Sequence, residues 1–303
     1  MKIDNLFDQK GIVGKSFNLH EKCMRYAHLK QEGPLFHVID LQELPLTSME
    51  KVFVQMGLQK FGIDAKTPLA TNIDDKKMIV KKLFAPPVGK DELLEALRFQ
   101  FMEETQNNQN TVEIRFEKLV EENEEGMQSY LVYGLAPDQI EEMRTRFREW
   151  ELQVIAAEPL AVTLASMMEL LELDSEKLRG VFYKEGKKTL FVGLKGTQLM
   201  TCKSFGGPVV EGEEIQNDWM IEFQQAIDEF LLQEKVSVLE EAVLLGDWSS
   251  EEKEKILVTL GIPCRELKDL ELPQFIFANP ELKEKFVNFL PEIGLALFPK
   301  AVT

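Results

Sequence analysis

The chain has 303 residues and a formal net charge of −17, from 52 acidic and 35 basic side chains. So acidic a surface argues against a nucleic-acid partner, and the apolar runs are far too short to cross a bilayer. Three widely spaced cysteines, Cys23, Cys202 and Cys264, make neither a disulfide framework nor a zinc site and point to a reducing cytosol. The first residues, Met-Lys-Ile-Asp-Asn-Leu-Phe-Asp, lack the apolar core of a secretory signal.

In chain order, residues 11–13, 23–30 and 35–41 read as three short strands, with Gly33-Pro34 turning between the last two. Thr47 and Ser48 offer caps for a helix through Val52, Met56 and Leu58 that ends near Gly62. Residues 65–150 form an α+β region of their own. Strand 78–83 is stopped by Pro86-Pro87, and Asp91 opens a helix with Leu94, Leu97 and Phe101 on one stripe. A polar loop at 106–110 leads into strand 111–120, where Val112, Ile114 and Phe116 alternate as in a half-buried strand. Strand 129–135 returns beside it, and Pro137 begins a helix whose buried face is Ile140, Met143, Phe147 and Trp150.

Residues 154–171 are the organising stretch. Val154 to Ala157 suits a strand buried on both faces, and Pro159 beside Glu158 suits a helix start. From 160 to 171 nearly every residue is apolar or small, so this helix is buried from more than one side. It is expected to pack one half of the protein against the other. Three further strands follow at 180–184, 190–194 and 198–205, ended by Gly206-Gly207-Pro208. A helix over 213–234 carries Ile215, Trp219, Phe223, Ile227, Phe230 and Leu231 on one stripe. Then come strand 242–245, a helix opened by the capping box of Ser249 and Glu252 and ended at Gly261, and a closing helix 282–297 interrupted near Pro291.

The order of three strands, helix, strand, helix thus recurs on either side of helix 160–171. The duplication predicts an α/β, actin-like (ribonuclease-H-like duplicated) fold of two lobes, with a small α+β subdomain inserted in the first. Residues 1–64 plus 151–178 form the first lobe, 65–150 the insert and 179–281 the second lobe. Helix 282–298 is expected to pack back on the first. Ligands of such a fold lie in the cleft between the halves.

Four stretches carry a resemblance. They are Met78-Ile-Val-Lys-Lys-Leu-Phe-Ala-Pro-Pro87, Glu92-Leu-Leu-Glu-Ala-Leu-Arg-Phe99, Trp150-Glu-Leu-Gln-Val-Ile-Ala-Ala-Glu-Pro-Leu-Ala-Val162 and Phe289-Leu-Pro-Glu-Ile-Gly-Leu-Ala-Leu297. In order and spacing these resemble the PilM family, the actin-like cytoplasmic proteins of type IV pilus assembly. The cytoplasmic domain of the type II secretion L protein is a cousin. The resemblance implies an adaptor that holds the short cytoplasmic tail of a single-pass inner-membrane protein of the PilN type. It also implies a secretion or pilus ATPase as a further partner, and a cytoplasmic place peripheral to the inner membrane through the partner. A peptide-binding groove beside the insert would use Leu83, Phe84, Arg98 and Phe99.

A phosphate cradle needs glycine for close backbone approach and an acid to organise metal and water. The first turn, read as Gly14-Lys15-Ser16-Phe17-Asn18, has no acid. Where the family has Asp-x-Gly the chain has Lys184-Glu185-Gly186, and Gly246-Asp247-Trp248 replaces paired glycines. Those departures imply a degenerate nucleotide site at Gly14, Lys15, Lys184, Gly186 and Gly246, no catalytic or metal-binding residues, no cofactor and no ATPase activity. The alternative is a nucleotide-binding actin-like ATPase using ATP with magnesium, or a filament-forming protein. Trp219 and Trp248 read as packing residues, with a plug of the old nucleotide cleft as the alternative for Trp248. Gly11-Ile-Val-Gly14-Lys15-Ser16 is no P-loop, since Gln9 stands where glycine is required. His20, His28 and His37 read as ordinary surface or core histidines. Residues 211–241 hold ten acids and one base, a solvated helix face or a docking face for a basic partner.

Overall fold

The computed structural model describes residues 14–20, 23–46, 48, 50–73, 78–105, 113–122, 126–135, 137–171, 177–206, 210–211, 214–215, 218–262, 264–265, 267 and 272–297. The strand expected at 11–13, the cap at Thr47 and the loop at 106–110 lie outside the described residues.

Three antiparallel strands open the fold: β1 (Lys15–Leu19), β2 (Cys23–Glu32) and β3 (Leu35–Pro45). Helix α1 (Lys51–Lys60) follows, and β4 (Leu69–Ile73) then runs parallel to β1. The insert comes next, with β5 (Ile79–Ala85), α2 (Lys90–Glu104), β6 (Glu113–Glu122), β7 (Gln128–Leu135) and α3 (Pro137–Glu149). Its strands pair in the order β5-β7-β6. Strand β8 (Val154–Pro159) then lies parallel to β4, and the chain enters α4 (Leu160–Leu170).

The second half repeats the plan with β9 (Leu178–Glu185), β10 (Lys188–Lys195) and β11 (Gln198–Gly206). A short ladder of β12 (Val210–Glu211) and β13 (Glu214–Ile215) precedes α5 (Asp218–Glu234). After it come β14 (Glu241–Gly246), α6 (Ser250–Leu260) and β15 (Cys264–Arg265). The first sheet reads β3-β2-β1-β4-β8 and the second β11-β10-β9-β14-β15. The two lobes therefore share one strand order, with a parallel pair added to an antiparallel meander in each. Finally β16 (Phe275–Phe277) adds to β3 of the first sheet, and α7 (Pro280–Lys285), a 3₁₀ turn (Phe286–Phe289) and α8 (Leu290–Leu297) close the chain.

Strand alternation sends residues of the first sheet to two cores. Phe17, Met24 and Tyr26 face outward and are covered by Val54 and Leu58 of α1, with Tyr26 stacked on Phe61 at 5.2 Å between ring centroids. In the second lobe Phe182 and Phe191 face outward under α5, and Phe182 stacks on Phe223 at 4.6 Å. The inner faces of both sheets share a single core through α4 and α8. Helix α4 touches β4 and β8 of its own lobe and β10 and β11 of the other, while α8 lies on β1, β2 and β4 of the first lobe. Ala161, Leu164, Met167 and Met168 are fully buried, so the expectation of a central helix holds. The molecule is five layers deep: α1, first sheet, paired central helices, second sheet, then α5 with α6.

Local signals explain several boundaries. Ser249 and Glu252 make the capping box of α6, and Gly261 ends it at φ 62°. The closing helix breaks at 286–289, just before Pro291, because proline has no N–H to give and is accommodated in a first helical turn. In the insert the buried stripe of α2 is Leu93, Leu97 and Phe101, with Leu94 only partly buried. Helix α5 starts at Asp218 rather than at 213.

Two central helices approach closely at Gly294. A Cβ there would lie 2.6 Å from Thr163 Cγ2 and 2.9 Å from Met167 Cγ. Gly294→Ala should therefore cost about 1–3 kcal/mol by overpacking, seen as a lower urea midpoint at unchanged m-value. Gly206→Ala, with nothing within 4 Å of the added carbon, should stay within about 0.5 kcal/mol of the parent.

Candidate functional site: the cleft between the lobes

A cleft of about 550 Å³ opens where the β1 and β9 ends of the two sheets face each other. From the first lobe Asn18, Leu19 and His20 enter it at the end of β1, with Thr71, Asn72 and Ile73 from β4. From the second lobe come Tyr183, Glu185, Lys187 and Lys188 around the β9–β10 turn. Met143, Arg146, Phe147 and Trp150, on α3 and just beyond it, form a third wall. Arg146 pairs with Glu142 at 2.7 Å and stacks over Trp150 at 5.8 Å.

His20 binds the lobes together. Its Nε2 lies 3.1 Å from Glu292 Oε1 on α8, and its Nδ1 lies 2.6 Å from Glu185 Oε1 on the second lobe, off the axis of the ring N–H. Asn18 Nδ2 donates to the same Glu292 oxygen at 2.8 Å and to Asn72 Oδ1 at 2.7 Å. The Asn72 backbone N–H donates to Asn18 Oδ1 at 2.8 Å. Asn72 Nδ2 donates onward to Thr163 Oγ1 at 2.9 Å, and Ser16 Oγ donates to the Glu292 carbonyl at 2.5 Å. One polar chain thus ties β1, β4, α4, α8 and the β9–β10 turn.

Burial alone would lower the His20 pKa, but its contacts with Glu185 and Glu292 prevail and raise it to about 9. Burial alone would raise that of Glu292, which is fully enclosed. His20, Arg25 and Asn18 outweigh the burial and hold the carboxyl below the usual carboxylate range. At neutral pH the cleft floor is therefore an imidazolium already engaged by two carboxylates.

Magnesium and a nucleoside triphosphate, the ligands this fold implies, do not fit these residues. A triphosphate brought into the cleft meets Glu185, and the His20 imidazolium beside that carboxylate is already engaged. Among the described residues no group of three or more His, Cys, Asp or Glu could hold a metal ion.

The structure redistributes the residues singled out from the sequence. Gly14, at φ 77°, and Lys15 lie at the start of β1, not in its turn, and the Gly14 N–H donates to Ala296 O at 3.0 Å. Lys184 points away from the cleft, with Nζ 2.7 Å from both carboxylate oxygens of Glu252. Gly246, at φ 85°, is glycine because a Cβ would sit 2.0 Å from the Lys184 carbonyl oxygen. Gly186, at φ 54°, shapes the β9–β10 turn whose flanking residues do line the cleft. Trp248 is no plug: it is buried in the second-lobe core beside Trp219, donating from Nε1 to Phe182 O at 3.2 Å.

The four residues read as a peptide groove do not share a surface. Leu83 is 1% exposed and packs in the insert core under α2. Its neighbour Phe84 points to the opposite face of the insert sheet, as strand alternation requires. Arg98 pairs with Glu95 at 2.8 Å, and Phe99 projects from α2 at 70% exposure. Of the residues that do meet, Asn18, Asn72 and Glu292 were not singled out, and His20 was read as an ordinary histidine, whereas it lies between Glu185 and Glu292. Their signal was Ser16, Asn18 and His20 alternating on one face of β1, and a lone glutamate in an otherwise apolar closing helix.

Two lobes with one strand order around shared central helices define an actin-like fold. Among solved structures the chain is similar to the PilM-PilN type IV pilus biogenesis complex over 97% of its length and 100% of that chain, with a TM-score of 0.72 at 14% identity. It is also similar to a Bacteroides thetaiotaomicron protein of actin-like ATPase fold and unknown function, at TM-score 0.50 and 11% identity, covering 93% of this chain and 94% of that one. The cytoplasmic domain of EpsL, an inner-membrane component of the Vibrio cholerae type II secretion system, matches at TM-score 0.50 and 11% identity, covering 92% and 93%. No protein family matches the sequence, and no curated protein does. Identities this low establish the fold.

The raised His20 pKa has a signed consequence. Stability from protonated His20 is fully present below its unfolded value of 6.5 and is lost as pH rises through about 9. Glu292 works in the other direction, its contribution being lost as acid titrates the depressed carboxyl. The urea-unfolding free energy of the parent over His20→Asn should shrink by about 3 kcal/mol between pH 6.5 and 9.5. A difference that stays flat across that window would show that His20 is not charged in the fold.

Proposed function

We propose that the chain is a non-enzymatic adaptor of a type IV pilus or type II secretion-like assembly platform. In this reading it holds the short cytoplasmic tail of a single-pass inner-membrane partner of PilN type, and meets the membrane only through that partner. A secretion or pilus ATPase would be a second partner. The observation that carries the proposal is the His20–Glu185–Glu292 bridge, an internal ion pair set where an actin-like ATPase would keep its turns open for phosphates. The overall likeness to a PilM-PilN complex supports the kind of partner.

The tail is placed in the cleft rather than at the insert. The cleft is lined by Met143, Phe147, Trp150, Leu160 and Tyr183 and rimmed by Arg146, Lys187 and Lys188. Apolar walls with a few fixed polar groups suit a peptide of mixed character. The cleft's position in an actin-like fold also favours the alternative of nucleotide binding, which one titration decides.

Calorimetry with magnesium-ATP should give no saturable heat at micromolar concentration. Co-expressed with a single-pass membrane protein bearing a tagged short cytoplasmic tail, the parent should be retained. An Arg146→Glu, Lys187→Glu double variant should be retained about tenfold less, a loss near 1.4 kcal/mol. Phe99→Asp should leave retention unchanged. Loss with Phe99→Asp alone would move the tail to α2, and micromolar ATP binding would end the adaptor reading.

A further inference from the structure

Helix α5 has a second face that the fold does not use. Its inward stripe, Trp219, Phe223, Ile227 and Phe230, is buried on the second sheet. Its outward stripe begins and ends on large apolar residues, Ile221 at 60% exposure and Leu232 at 80%. Eleven residues separate them, about 16 Å along the axis and within about 20° of the same direction around it. Val236 and Val238, also exposed, extend the apolar ground just past the helix end.

What lies between these anchors is acidic. Asp228 falls on the line joining them, and Glu222 and Glu229 fall on one flank. Lys203 takes up Glu229 at 2.8 Å, but among the described residues Glu222 and Asp228 pair with no cation. Asp228 instead accepts from Gln224 at 2.8 Å. The stretch around it, residues 211–241, has a formal net charge of −9 from ten acids and one base. Isolated exposed apolar residues need no explanation, and neither does an acidic helix face. Two apolar anchors in line, three turns apart with an uncompensated carboxylate, Asp228, between them and another, Glu222, on the flank, are a pattern with a definite complement.

We infer that the outward face of α5 docks a basic amphipathic helix of a partner protein, with the partner's apolar residues seated on Ile221 and Leu232 and its lysines or arginines facing Asp228 and Glu222. Helix on helix at this spacing is ordinary ridge packing. The long-range field of an acidic chain would speed encounter with a basic segment and set its orientation. The face lies on the outer flank of the second lobe, behind the second sheet from the cleft, so it is independent of the tail site proposed above.

Fluorescence anisotropy tests the inference with a labelled helical peptide of leucine and lysine, leucines along one face. The controls are a scrambled peptide of the same composition and a leucine-glutamate peptide with the same apolar face. The leucine-lysine peptide should bind the parent at least about tenfold tighter than either control. Leu232→Ser and Asp228→Lys should each weaken it about tenfold, and Val52→Ser, a change at an exposed apolar residue of α1, should not. All three positions are exposed, and circular dichroism checks that the variants keep the fold. Equal binding of the scrambled peptide would reduce the effect to bulk charge and overturn the inference. So would unchanged binding to Leu232→Ser.

Discussion

The structure depends on one buried carboxylate. Glu292 sits with no exposure in the first turn of α8, a helix otherwise built from Leu, Pro, Ile, Gly and Ala. An unpaired charge there would cost several kcal/mol. His20 and Asn18 at the side chain, with the Arg25 charge nearby, offset it, and Ser16 holds the Glu292 backbone carbonyl. Ser16, Asn18 and His20 belong to β1 and its end, so α8 has one seating on the first sheet. Gly294, two residues further on, lets α8 settle against Thr163 and Met167 of α4. Charge fixes the register of the central helices, and a missing side chain fixes their distance.

That seating explains why two lobes behave as one body. Helix α4 follows the first sheet yet reaches β10 and β11, and α8 follows the second lobe yet lies on the first sheet. Neither sheet can bury its inner face without an element from the other repeat. The apolar layer between them is shared in the strict sense: Val181, Leu190 and Val192 of the second sheet and Ala27, Leu29 and Val38 of the first belong to one cluster. Movement of one lobe against the other must therefore separate His20 from Glu185, the contact that spans the cleft.

The sequence disclosed most of this at the level of pattern. The duplicated element order, the buried helix after Pro159 and the capping box at Ser249 all follow from local rules that the tertiary structure leaves intact. Strand β1 was harder to read. Gly14-Lys15-Ser16-Phe17-Asn18 has the composition of a turn, and only the structure shows that its polar residues alternate inward toward Glu292, 274 positions from Asn18. The alternation of Ser16, Asn18 and His20 and the lone Glu292 are local traces, but neither segment says that it meets the other. Lys184 was misplaced for a similar reason, because a lysine beside a turn looks solvent-bound until Glu252 is seen to receive it. Leu83 and Phe84 were separable from sequence alone, since adjacent residues of a strand face opposite ways.

The same buried charges set the physics of the cleft. A phosphate group placed about 4 Å from an ionised carboxylate costs on the order of 4 kcal/mol at a surface-like dielectric, close to a thousandfold in affinity. The cleft presents one such carboxylate, Glu185, and the His20 imidazolium beside it is shared with the buried Glu292. Lys187 and Lys188 stand at the rim, where solvent screening weakens what they can return. A peptide carries most of its recognition in backbone hydrogen bonds and apolar side chains, and pays much less of this penalty. The contact that joins the two lobes is thus the one on which the proposed reading of the cleft as a protein-binding site rests.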